Sequence, residues 1–137
     1  MVAMPTRAEF IPATDLVLRS SRLNGCDVVH VSGVVDSSTV WKLRQVIAEL
    51  PPVSQVVLDI SKLSFVDSSG LGAVIGGVRR VRELGGDMRL AGPTPSIRRV
   101  LGVTGLDRIA EVHPDLASAL SGFAEADIDR LPPPATQ

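Results

Sequence analysis

A carboxylate and two hydroxyls, Asp67-Ser68-Ser69, stand consecutively within Ser64-Phe65-Val66-Asp67-Ser68-Ser69-Gly70-Leu71-Gly72. Such a cluster can attack as a nucleophile, bind an anion, or accept a phosphoryl group. Nucleophilic attack fails on spacing. A nucleophile elbow, Gly-x-Ser-x-Gly, needs glycine two places before the serine, where Ser68 has Val66 and Ser69 has Asp67. A base is also missing, because the chain has two histidines, His30 inside an expected strand and His113 at a strand end, and both read as structural. Gly70, Gly72 and Gly76 miss the dinucleotide spacing Gly-x-Gly-x-x-Gly, and no Gly-Lys-Ser/Thr phosphate loop occurs. Cys26, His30 and His113 lack the clustered spacing of zinc ligands. No cofactor and no metal are expected.

Phosphoryl acceptance fits better. A helix start offers unpaired N–H groups and about half a positive charge, and a phosphate brings about two negative charges with three acceptor oxygens. The plainer reading is a helix cap, since Asp67, Ser68 and Ser69 all suit that position. Asp36, in Gly33-Val34-Val35-Asp36, either caps the first helix or faces the same edge as Ser68. A phosphate about 6 Å from each carboxylate is repelled by roughly 1 kcal/mol in water and several-fold more where a partner excludes solvent. A 100-fold loss of binding takes about 2.7 kcal/mol.

The elements around these loops follow from periodicity. Leu16 to Leu23, Asn24-Gly25 and Cys26 to Gly33 read as a hairpin, Asn-Gly being the turn that matches strand twist. Ser37-Ser38-Thr39 offers caps for a helix striped by Val40, Leu43, Ile47 and Leu50, which Pro51-Pro52 stops. Val56 to Ile60 is a buried strand, followed by a short connection. Leu71, Val74, Ile75, Val78 and Val81 stripe the second helix, closed by Gly85-Gly86. Met88 to Ala91 is a strand, and Pro95 opens a third helix with Ile97, Val100 and Leu101 inward. A last strand over Ile109 to Val112 and a last helix over Pro114 to Phe123 complete the pattern.

The order β-β-α-β-α-β-α-β-α predicts a mixed α/β sheet, its hairpin antiparallel and its later strands parallel through right-handed crossovers. An extended lead-in over 1–14, one domain over 15–124 and a disordered tail over 125–137, rich in proline from Leu131, are expected. Arg79, Arg80 and Arg82, with Arg98 and Arg99, read as a solvated face, Glu83 pairing with Arg79 four places before it.

Composition narrows the function classes. The 137 residues carry 14 Lys+Arg against 15 Asp+Glu, too even a balance for a general nucleic-acid binder. An aromatic content of 3%, without tyrosine, removes the stacking platforms of single-strand binders. The lone Cys26 rules out an internal disulfide and fits a reducing compartment. The first residues lack a signal peptide's basic flank and apolar run, and Leu71 to Val78 is too short to span a bilayer. A cytoplasmic, membrane-free, non-enzymatic domain is expected.

Leu58-Asp59-Ile60, followed by Phe65-Val66-Asp67-Ser68-Ser69-Gly70-Leu71-Gly72, resembles the signature of STAS domains, most of all the bacterial anti-sigma factor antagonists. The likeness extends to Gly33-x-x-Asp36, to Gly85-Gly86 and through Arg99 to Leu106, covering about residues 16–123. It implies a STAS fold for 15–124. It further implies that the unphosphorylated protein binds an anti-sigma factor, itself an ATP-dependent serine kinase, and so frees a sigma factor. Phosphorylation by that kinase switches the protein off, and a serine phosphatase restores the unphosphorylated antagonist. The phosphoacceptor follows the motif's aspartate and is here Ser68. Asp36 matches the aspartate ending the family's Gly-Glu-Leu/Ile-Asp turn, with Val34 and Val35 replacing Glu and Leu/Ile. Asp36, Asp67, Ser69, Gly70 and Leu71 are the expected partner contacts. Two rivals remain: a STAS scaffold of a sensory assembly or transporter accessory without a phospho-switch, and an enzyme using Ser68 as nucleophile.

Overall fold

The computed structural model describes residues 14–130, with side chains through Phe123. The expected lead-in up to Ala13 and the stretch from Leu131 onward lie outside the described residues. Five strands pair in the order β1-β2-β3-β4-β5. β1 (Leu16–Leu23) and β2 (Cys26–Val35) form the antiparallel hairpin, with Asn24 (φ 52°) and Gly25 (φ 78°) left-handed as a strand-matched two-residue turn requires. β3 (Gln55–Val66), β4 (Asp87–Ala91) and β5 (Val112–His113) add in parallel. The mixed α/β sheet is as predicted.

Helices α1 (Val40–Ala48), α2 (Ser68–Glu83) and α3 (Pro95–Thr104) cover one sheet face, over a core that includes Leu43, Ile47, Leu58, Val78, Leu90 and Leu101. α4 (Leu116–Arg130) lies on the other, where Ala119 and Phe123 meet Cys26, Val28, Val57 and Ala91. Val56 and Leu58 thus serve one core and Val57 the other, which is why Val56 to Ile60 shows no polar alternation. On the α4 side Arg89 is buried, paired with Glu111 at 3.0 Å and stacked 4.2 Å from the Phe123 ring.

Several boundaries differ from expectation, each for a local reason. β3 continues through the segment read as a connection, because register shifts at His30/Ser32 and Gly33/Val34 interrupt the alternation that marks a strand. The buried face of α2 is Gly70, Ala73, Gly77, Val78 and Val81, while Leu71, Val74 and Ile75 are half-buried flanks. Small residues let α2 approach its neighbours closely: a Cβ at Gly77 would stand 2.8 Å from Ile47 Cδ1. The last strand is Val112–His113, after a 3₁₀ turn at Leu106–Arg108 that buries Leu106. The last helix starts at Leu116, with Asp115 accepting from Ser118 N at 2.8 Å, and runs to Arg130 rather than ending at Phe123.

Candidate functional site

Two loops meet at the carboxyl edge of β2 and β3, where the alignment Val35↔Val66 leaves Asp36 and Asp67 side by side in chain order. Asp67 N donates to Val35 O at 3.1 Å, and Ser64 Oγ to Gly33 O at 2.9 Å, tying the loops together. Asp67 is extended (φ −103°, ψ −172°) and its Oδ1 accepts from Gly70 N at 3.1 Å, so it caps α2. Ser68 is the first helical residue and is exposed. Ser69 and Leu71 are half-buried.

Gly70 is buried beneath them, and its place is forced. A Cβ there would lie 2.6 Å from Val66 Cγ2, 2.8 Å from Val35 Cγ1 and 2.9 Å from Val35 O. Absence of a side chain at this point therefore lets the α2 start rest on the end of β2, carrying Ser68 to the rim of the sheet.

Asp36 organises the other loop. Its Oδ1 accepts from Ser38 N at 2.9 Å, Ser38 Oγ at 2.7 Å and Thr39 N at 3.1 Å, while Asp36 N donates to Thr39 Oγ1 at 3.0 Å. The Ser38 hydroxyl foremost, then the two N–H groups, hold the Asp36 carboxyl below its ordinary range. Asp36 thus orders the turn that leads into α1, whose N-cap is Thr39 without a side-chain cap bond; the Thr39 hydroxyl donates to Val34 O at 2.8 Å. The side-chain hydrogen bonds of Asp36 all fall on Oδ1, none of them from a described residue on Oδ2.

Of the expected site residues, the structure gathers Asp36, Asp67, Ser68, Ser69, Gly70 and Leu71 at one edge. The expected Arg79–Glu83 pair is not formed; Arg82 binds Asp87 at 2.9 Å instead, and Arg80 donates to Ala48 O at 3.3 Å. Sequence reasoning passed over two exposed aromatics beside the loops. Phe65, 53% exposed, is the last residue but one of β3, and Trp41, 58% exposed, lies on the first turn of α1 after Asp36. Trp41 was legible as an aromatic off the Val40, Leu43, Ile47 stripe. Among the described residues no group of His, Cys, Asp and Glu could hold a metal ion.

This α/β domain thus presents, at one sheet edge, an exposed serine at the start of a helix capped by Asp67, beside a turn ordered by Asp36. The chain belongs to the STAS domain family, whose profile matches residues 19–119. It is 29% identical over 110 residues to the anti-sigma F factor antagonist of Paenibacillus polymyxa, spanning 78% of this chain and 94% of that protein. The crystal structure of an anti-sigma factor antagonist from Mycobacterium paratuberculosis superposes with a TM-score of 0.71 at 29% identity, over 80% of this chain and 94% of that one. The murine solute carrier 26 family member A9 anion transporter shares the fold alone, with a TM-score of 0.65 at 21% identity over 79% of this chain and 19% of its own. No helix among the described residues is long and apolar enough to cross a membrane.

Proposed function

We propose that this chain is a cytoplasmic anti-sigma factor antagonist. Unphosphorylated, it binds a cognate anti-sigma factor and so frees a sigma factor; phosphorylation of Ser68 ends the binding. One observation carries the reading: Ser68 is exposed at the first position of a helix that Asp67 caps, beside the loop ordered by Asp36. A macromolecule can reach that hydroxyl without disturbing the core. Asp36, Asp67, Ser69 and Leu71 form the contact surface beside it, on the support of buried Gly70, with Phe65 and Trp41 as apolar anchors of the kind that dominate interface energetics.

The chain is not the catalyst in this scheme. It supplies the hydroxyl, the anti-sigma factor acts as the serine kinase with its own ATP, and a serine phosphatase resets the switch. Direct nucleic-acid contact has no part. Purified cognate anti-sigma factor is titrated against Ser68→Ala and Ser68→Asp. The alanine variant binds like unmodified protein and resists inactivation by ATP, whereas the aspartate variant binds at least tenfold more weakly. Equal affinity of the two refutes the switch.

A further inference from the structure

The sheet face beneath α4 is only half covered. α4 shields Cys26, Val28, Val57 and Ala91, and beyond them the same face turns polar. The register sets Arg19 opposite His30 and His30 opposite Asp59, one row across β1, β2 and β3. In the next row Val17 faces Ser32, and Ser32 faces Lys62. With Ser61, these side chains line a depression of about 200 Å³.

Its floor is held by a hydrogen-bond chain. His30 Nδ1 lies 2.7 Å from Asp59 Oδ2, and His30 Nε2 lies 3.1 Å from Ser21 Oγ. Asp59 Oδ1 accepts from Ser61 Oγ at 2.7 Å and Ser61 N at 3.1 Å. The His30 and Asp59 side chains are each 18% exposed, so both are partly withdrawn from water. Strand pairing does not call for this arrangement.

The rim differs from the floor. Arg19 and Lys62 are exposed and belong to none of the ion pairs among the described residues. Asp59, the one carboxylate lining the depression, is held in the floor by His30 and Ser61, while the two cations stand uncommitted at the mouth. A guanidinium and an ammonium over a hydroxyl-bearing floor match an oxyanion carrying two charges. The space equals that of about six water molecules, enough for a phosphoryl group with a small organic body.

We propose that this depression binds a small phosphomonoester, its phosphoryl group held by Arg19 and Lys62 with the Ser32 hydroxyl, over the fixed His30–Asp59 pair. The site lies on the sheet face away from α2 and does not depend on the Ser68 switch.

The test uses ring resonances of the full chain, which has two histidines. The His30 signals are identified by their loss in His30→Gln. Phenyl phosphate, inorganic phosphate, acetate and chloride are titrated at matched ionic strength. Saturable His30 shifts are expected with both phosphates, half-complete at low millimolar concentration or below. Arg19→Met and Lys62→Met, both at exposed positions, each weaken binding at least fivefold, and the double variant abolishes it. Phosphate shifts no larger than those of chloride, or undiminished binding by the double variant, overturn the site. An equal response to acetate overturns the phosphoryl assignment.

Discussion

Four glycines of α2 make the sharpest energetic contrast, because they occupy one helix and differ only in what a methyl group would meet. At Gly72 and Gly76 nothing lies within 4 Å of the position a Cβ would take. Alanine there removes the entropic cost of glycine and stabilises the domain by about 1 kcal/mol at each site. At Gly77 the methyl meets Ile47 Cδ1 at 2.8 Å and Met88 Cε at 3.5 Å, both ends of side chains that can turn aside, so gain and strain nearly cancel. At Gly70 it meets Val35 O at 2.9 Å as well as two valine methyls, and backbone cannot give way so easily. Overpacking of that kind costs about 1–3 kcal/mol, which outweighs the helix gain. With a urea slope of about 1–3 kcal/mol per molar, 1 kcal/mol moves the unfolding midpoint by roughly 0.3–1 M. Gly72→Ala and Gly76→Ala therefore unfold at higher urea than wild type, Gly77→Ala close to it, and Gly70→Ala below. A Gly70→Ala midpoint at or above that of Gly76→Ala would refute the claim that the α2 start is pressed onto the end of β2.

Two further outcomes follow from the site and the sheet. Asp67→Ala loses the bond from Gly70 N and costs about 1 kcal/mol in urea unfolding, while Asp67→Ser keeps a capping oxygen and most of that stability. At Asp59, burial works to raise the carboxyl, but bonds from Ser61 and His30 outweigh it and leave it below its ordinary range. A depressed folded value contributes stability above the unfolded value and loses it as pH falls through the folded one. Asp59→Asn is accordingly less stable than wild type at neutral pH, and the two converge as pH drops below about 4. A gap that persists unchanged into strong acid contradicts this.

How much of this was legible depended on whether a feature is local. The hairpin was, because Asn24-Gly25 demands left-handed backbone that few other pairs supply. So was α3, with Thr94 accepting from Ile97 N at 3.3 Å and Pro95 at its first turn. The Asp67–Ser68 loop also declared itself, since cap, serine and glycine stand consecutively. Features that depend on a second strand did not. The length of β3 was hidden by bulges against β2, and the α2 face by a preference for counting large residues where glycine and alanine make the contact. The Ser21–His30–Asp59 chain joins residues from three strands, the His30–Asp59 link spanning 29 positions, so no spacing rule could announce it.

In the proposed switch, the same loop geometry would let phosphorylation of Ser68 act on binding without acting on the fold. At the first turn of α2 a dianion meets a helix end that favours it by about 0.3–1 kcal/mol. Asp67 opposes it, by about 1 kcal/mol at roughly 6 Å in water. The two nearly cancel, and since Ser68 is exposed no core contact is lost. A docked partner changes the balance. With solvent excluded and an effective dielectric near 20, the same repulsion rises to about 3–5 kcal/mol, an increase on docking of about 2–4 kcal/mol that brackets the roughly 2.7 kcal/mol of a 100-fold loss of affinity. Phosphorylated protein should therefore melt within a few degrees of the unmodified form and yet bind its partner on the order of 100-fold more weakly. A large fall in melting temperature would mean instead that the phosphate acts by breaking the Asp67 cap, and the switch would then be one of local unfolding, not of charge at a preserved surface.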